Sequence, residues 1–123
     1  RKTVHTDEGK QRQAALLAFS AFPELKHVIL VDEDVDIFDS QDVLWAMNTR
    51  FQGDRDIVTI PGVRCHPLDP SSNPAYSPSI PDIGVSCKTI FDCTVPFQLK
   101  DRFQRAEFLE VNPKHWLPDF DFS

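Results

Sequence analysis

Apolar positions fall at two different spacings along this chain, and the switches between them mark its elements. From Glu8 to Phe22, Ala14, Leu17, Ala18 and Ala21 recur at helical steps, flanked by Phe19 and Phe22. Thr6 or Asp7 is placed to cap this helix, and Pro23, which lacks an amide hydrogen, stops it. His27-Val28-Ile29-Leu30-Val31 is too short for a helix and rich in β-branched residues, so it reads as a strand buried on both faces. A second helix is predicted from about Ser40 to Phe51. Asp39 is its N-cap, Asp42 completes a weaker capping box, and Val43, Leu44, Met47 and Phe51 form its buried stripe. Gly53 is placed to end it, and Asp56 to Ile60 is the next strand, closed by Pro61-Gly62. Helix, strand, helix, strand at this spacing predicts a parallel sheet with right-handed crossovers.

The character then changes. Pro61 to Pro81 holds six prolines in twenty-one residues and a Ser-Ser-Asn run, which supports neither a helix nor a central strand. Loops this long in compact domains are usually functional, grip a partner, or lack order. Thr89 to Thr94 is a candidate strand, Leu99, Phe103 and Ala106 mark a short helix, and Val111 to Ser123 is an aromatic tail carrying Trp116, Phe120 and Phe122. Apolar side chains in a tail call for a surface to dock on, in this domain, another domain or another subunit. The expected fold is a single α/β domain over residues 1–123, a three-layer sandwich around a mainly parallel sheet, with a long Pro-rich loop and a C-terminal tail.

Composition narrows the partners. With 123 residues the chain buries roughly two-thirds of its unfolded surface, enough for a core without disulfide or metal staples. A net charge of −6 argues against a nucleic-acid backbone or an anionic membrane surface as the main partner. Three cysteines, Cys65, Cys87 and Cys93, form no C-x-x-C pair, and no apolar run is long enough to span a bilayer. Free thiols and a cytoplasmic location are the expectation. The chain opens on Arg1, which points to a longer native polypeptide.

Candidate chemistry concentrates after the first strand, where Asp32, Glu33, Asp34, Asp36 and Asp39 place five carboxylates within eight residues. A strand followed by D-x-D is what a sugar-nucleotide glycosyltransferase uses to hold a divalent cation against a diphosphate, and Asp32-Glu33-Asp34 meets that local demand. Such an enzyme also needs a nucleotide-binding half upstream, and only thirty-one residues precede Asp32. A haloacid-dehalogenase phosphatase would place threonine or valine where Asp36 stands, and an EF-hand loop would need glycine at Ile37 and glutamate at Val43. From the residues alone the favoured reading is structural, with Asp39 capping the helix and its neighbours pairing with basic side chains elsewhere.

Taken together, VDEDVDIFDSQDVLWAMNTRFQGDRDIVTIPG, PLDPSSNP and SCKTIFDCT resemble, in order and spacing, the C-terminal domain of the UbiD-family decarboxylases. That resemblance implies a multidomain carboxy-lyase using prenylated FMN on aromatic or α,β-unsaturated acids. Cofactor, a divalent metal such as manganese, and potassium would be held mainly by an upstream domain, along with the catalytic acid–base residues. The C-terminal domain would then supply oligomer contacts, through its tail among others, and a lysine to the cofactor. The matching position is Lys88, and an ammonium on a flexible stem suits a flavin phosphate. Alone, this domain would be catalytically silent. A competing reading is a non-catalytic assembly module that binds sister subunits.

Weaker candidates complete the inventory. Cys65-His66 reads as a loop pair, since no second ligand pair lies at zinc-like spacing. Cys87 and Cys93 read as small buried hydrophobes, His115-Trp116 as a packing anchor, and Tyr76 as an interface aromatic.

Overall fold

The computed structural model describes residues 1–75, 84–106, 112 and 115. Its helices are α1 (Lys10–Ala21) and α2 (Ser40–Thr49), and its strands are β1 (His27–Val31), β2 (Ile57–Arg64) and β3 (Val85–Cys93). Short 3-10 helices lie at His5–Asp7, Pro70–Ser72 and Phe97–Arg102. The class is α/β, as expected.

The sheet departs from expectation. Its order is β1-β3-β2, with β3 parallel to β1 and antiparallel to β2, so it is mixed rather than mainly parallel. The strand buried on both faces is β3, where Lys88, Thr89, Ile90, Asp92 and Cys93 are all buried. β1, expected in that role, is an edge strand with His27 and Ile29 exposed. β3, the longest of the described strands, takes the centre, where neighbours on both sides satisfy its ladder.

Alternation along β3 divides the core. Ile90 points to one face and packs with Ala15 and Phe19 of α1 and with Val28, Leu30, Val58 and Ile60. Cys93 points to the other and packs with Val35 and Ala46, bordered by Val31, Val43, Trp45, Met47, Phe51 and Phe91. Each helix therefore covers a different face of the sheet.

Helix α1 is rotated from its predicted orientation. Ala15 and Phe19 face the sheet, whereas Leu17 is 71% exposed and Ala14 and Ala21 point outward. Apolar residues run all round this helix, so spacing alone names no unique stripe. Phe19, with the largest area to bury, wins the contact. In α2 the stripe is Val43, Ala46 and Met47, continued by Phe51 after the helix, while Leu44 is left 55% exposed.

Boundaries also shift for identifiable reasons. Asp39 caps α2 as predicted, its Oδ1 accepting from the Gln41 amide at 2.9 Å. Asp42 does not close a capping box; it accepts from the Asp36 amide at 2.7 Å instead. The helix ends at Thr49, before Gly53. Pro61-Gly62 does not end β2 but sits in a bulge between the Ile60–Lys88 and Val63–Ser86 pairs. Proline has no ladder donor to lose at such a bulge, and Gly62 takes the left-handed φ of +71° it requires.

Beyond β2, Cys65 pairs its amide with the Gly84 carbonyl at 2.9 Å, and Asp69 caps the Pro70–Ser72 turn. The predicted helix around Leu99, Phe103 and Ala106 is the shorter turn Phe97–Arg102. Tyr76 and most of the aromatic tail, Trp116, Phe120 and Phe122 included, lie outside the described residues.

Candidate functional site

The acidic run lies where the sequence places it, directly beyond the carboxyl end of β1, and its carboxylates are already engaged. Arg50, at the C-terminal end of α2, reaches back to the run with a side chain only 3% exposed. Its Nη1 and Nη2 donate to the two oxygens of Asp34 at 2.8 and 2.6 Å, and Nη1 also meets Asp32 at 3.2 Å. Two parallel charge-assisted bonds from a planar fork are the strongest form such a pair takes. The Asp34 carboxyl is held below its ordinary value, chiefly by the Arg50 hydrogen bond. Asp32 additionally accepts from the Val95 amide at 2.7 Å.

The rest of the run is equally committed. Asp36 accepts from the Phe38 amide at 2.9 Å, Asp39 caps α2, and Glu33 meets Arg1 at 3.2 Å on the surface. A divalent cation on Asp32 and Asp34 would have to displace a buried guanidinium. Among the described residues no group of three or more His, Cys, Asp or Glu side chains is placed to hold a metal. The arrangement is the pairing with basic side chains and backbone amides that the structural reading of this run expects.

A second buried carboxylate was not singled out from sequence. Asp92, on the α1 face of β3, is 4% exposed and accepts from Arg12 Nε at 2.7 Å, Gln11 Nε2 at 3.2 Å and Thr94 Oγ1 at 2.6 Å. Burial pushes its carboxyl up, but the bonds from Thr94, Arg12 and Gln11 bring it net below the usual value. Beside it opens a cavity of about 510 Å³ lined by Arg12, Arg55, Asp92, Phe51, Leu99 and Phe103, among others.

Lys88 lies at the opposite end of the sheet from the acidic run. Their separation spans the five residues of β1, about 16 Å of strand. The side chain of Lys88 is buried, its Nζ donating to the carbonyls of Pro23, at 2.6 Å, and Leu25, and sitting 5.3 Å over the Phe19 ring. It thereby ties the α1–β1 turn to the central strand. Next to it, Lys26 pairs with Asp69 at 2.7 Å and donates to Ser71, fixing the loop that follows β2.

The other sequence candidates resolve plainly. Cys65 is buried and His66 exposed, the latter accepting the Leu68 amide on Nδ1 at 3.1 Å within a local turn. Cys93 is a buried hydrophobe as expected, its thiol pushed up to about 11 by burial and by Asp92 and Asp56. Cys87 is not, because it is exposed. It lies on the same face of β3 as Cys93, which packs against Ala46 of α2.

Sequence reasoning missed Arg12, the partner of Asp92, and two cations that serve the acidic run: Arg50, and Arg105, which pairs with Asp42 and donates to the Asp34 carbonyl at 2.8 Å. A run of five carboxylates demands cations, but thirteen Lys and Arg residues were available and nothing local chose among them. The only cue was position, since Arg50 ends the helix that the run begins.

Comparison with known proteins supplies what the geometry leaves open. Residues 1–93 match the family model described as the 3-octaprenyl-4-hydroxybenzoate carboxy-lyase C-terminal domain, that of UbiD. A gallate decarboxylase from Lactiplantibacillus plantarum is 63% identical over 111 residues, covering 89% of this chain and 23% of the relative. The apo structure of a 3,4-dihydroxybenzoic acid decarboxylase from Enterobacter cloacae superposes with a TM-score of 0.84 at 63% identity, over 96% of this chain and 24% of that one. A UbiD-class enzyme from Pelotomaculum thermopropionicum in complex with FMN matches with a TM-score of 0.73 at 32% identity, over 92% and 24%. Its evolved dimeric form in complex with prFMN matches at 0.57 and 27%, over 86% and 18%. The chain thus spans about a quarter of the length of the relatives it matches, or less. With three-quarters of its length inside the family model, and two 63%-identical relatives that are both decarboxylases, the chain belongs to the UbiD C-terminal domain family.

Proposed function

We propose that residues 1–123 act as the C-terminal domain of a prenylated-FMN-dependent decarboxylase, working on aromatic or α,β-unsaturated acids and, most specifically, on hydroxylated benzoic acids. The observation that carries this is 63% identity both to a gallate decarboxylase and to a 3,4-dihydroxybenzoic acid decarboxylase. The flavin would supply the electron sink for loss of carbon dioxide.

The described residues supply a scaffold rather than a reaction centre. Asp32 and Asp34 are occupied by Arg50, so manganese and potassium would be held by upstream domains of the same enzyme. The residue of this chain assigned to the cofactor is Lys88, on its place in SCKTIFDCT. Its ammonium carries three donors, of which the Pro23 and Leu25 carbonyls take two, and a charge-assisted bond to a flavin phosphate is the role proposed for it. Three free thiols favour a reducing, cytoplasmic setting. Among the described residues no helix is long and apolar enough to cross a membrane. The tail, with Phe108, Leu109, Val111, Trp116, Leu117, Phe120 and Phe122, is proposed to contact a second subunit.

The test uses the full-length enzyme loaded with prenylated FMN. Carbon dioxide release from gallate or 3,4-dihydroxybenzoate supports the proposal, and release from none of a panel of hydroxybenzoates overturns the substrate assignment. Lys88→Ala should lower flavin occupancy, read from absorbance; wild-type occupancy and turnover would remove Lys88 from the cofactor site.

A further inference from the structure

The cavity of about 510 Å³ beside Asp92 keeps a positive edge after most of its charged groups have paired with one another. Lys2 donates all three ammonium hydrogens, to Glu8 at 3.1 Å, Thr94 Oγ1 at 3.0 Å and the Val95 carbonyl at 3.1 Å. Arg50 is committed to Asp32, Asp34 and the Phe103 carbonyl. The carboxylates are occupied as well. Asp92 accepts from Arg12, Gln11 and Thr94, Glu8 from Lys2 and the Phe97 amide, and Asp56 from the Gln52 amide at 2.8 Å. What remains is cationic. Arg12 meets Asp92 through Nε alone, and its Nη2 makes only a long 3.4 Å contact to the Arg55 carbonyl. Arg55 is 70% exposed, and its ion pair with Asp54 is no closer than 3.8 Å.

Three further features fit that edge to an organic anion. Asp92, buried on the central strand, fixes Arg12 with a 2.7 Å bond, so the outer nitrogens of the guanidinium stand on a rigid support. Gln11, also on the cavity wall, gives its Nε2 to the same carboxylate, which sets the amide's orientation, because turned over its oxygen would face Asp92. Its Oε1 is therefore left buried without a donor among the described residues, and an unmet buried acceptor is costly. Phe51, Leu99 and Phe103 make part of the wall apolar. An inorganic anion would use the arginines and leave the rest bare, whereas a ring bearing a carboxylate and a hydroxyl uses all of it. Apolar walls with a few fixed polar groups, at this volume, are the usual make-up of a small-molecule site.

We propose that this cavity binds a hydroxylated aromatic carboxylate: Arg12, held in place by Asp92, and Arg55 take the carboxylate, Gln11 Oε1 accepts from a ring hydroxyl, and Phe51, Leu99 and Phe103 cover the ring. The inference deepens the proposed function and rests on it for the class of acid. It gives a domain without a reaction centre a part in choosing which acid the enzyme holds.

The experiment titrates the full-length enzyme, free of flavin, with 3,4-dihydroxybenzoate, benzoate, catechol and inorganic phosphate, by calorimetry. Wild type should bind 3,4-dihydroxybenzoate most tightly and phosphate least. Arg12→Lys keeps a cation beside Asp92, and with it the fold, but removes the outer nitrogens; it should weaken both benzoates about tenfold and leave catechol unchanged. Arg55→Ala should act in the same direction with a smaller loss. Gln11→Met should reverse the pattern, weakening 3,4-dihydroxybenzoate and catechol and sparing benzoate. Equal losses for every aromatic ligand in Arg12→Lys, or none, overturn the carboxylate assignment. Phosphate binding as tight as benzoate overturns the aromatic part of the site, and no binding of an aromatic acid by wild type overturns the whole. Carbon dioxide release by the flavin-loaded enzyme separates this from the proposed function: titrations that hold without release leave the site standing and the function overturned, and release without them leaves the function standing and the site overturned.

Discussion

Arg50 grips Asp34 with both terminal guanidinium nitrogens, at 2.6 and 2.8 Å, from the far end of the helix that the same acidic run begins. The pair closes α2 against the end of β1. It also explains why a motif that resembles a metal site in sequence is neutralised from within.

Arg50→Ala should therefore destabilise the chain by about 2–4 kcal/mol, since it leaves Asp32 and Asp34 facing each other without a cation. Urea unfolding would measure this. A loss below about 0.5 kcal/mol would mean that the partly exposed Asp34 is satisfied by water.

The acid limb of stability should depend on Asp69. Its carboxyl is lowered from 3.8 to about 2, chiefly by the Lys26 hydrogen bond and then by Ser71. A lowered folded-state value means that its contribution is fully present above the unfolded value and is lost as pH falls through about 2. Asp69→Asn should thus be less stable than wild type near neutral pH, with the gap narrowing below pH 3.8. Equal gaps at both extremes of an unfolding series would contradict the assignment.

The thiols should separate by accessibility. Cys87 is exposed, whereas Cys65 and Cys93 are buried and the Cys93 thiol is pushed up to about 11. One equivalent of iodoacetamide near pH 8 should label Cys87 alone, checked by peptide mass analysis, with the other two reacting only on unfolding. Early labelling of Cys93 would show that the α2 face of the sheet opens readily.

The orientation of α2 predicts opposite outcomes for two of its residues. Leu44→Gln, at a position 55% exposed, should change stability by no more than about 0.5 kcal/mol. Ala46→Leu, at a position fully buried against Val35 and Cys93, should cost about 1–3 kcal/mol by overpacking. Thermal melts of the two variants would expose a rotated helix if the order were reversed.

Local signals were legible without the structure. Pro23 after α1, Asp39 before α2 and the β-branched run His27–Val31 each act over a few residues, and all three mark real elements. Family resemblance was legible for the same reason, because it resides in the order of short motifs, and the match over residues 1–93 bears it out. Tertiary structure alone decided that β3 lies between β1 and β2, that Phe19 rather than Leu17 faces the sheet, and that Arg50, of all the basic residues, grips Asp34 with a bidentate pair. Each of those outcomes is a competition between groups distant in sequence for one buried surface or one charge. Spacing along the chain names the contestants, and only their packing in three dimensions selects among them.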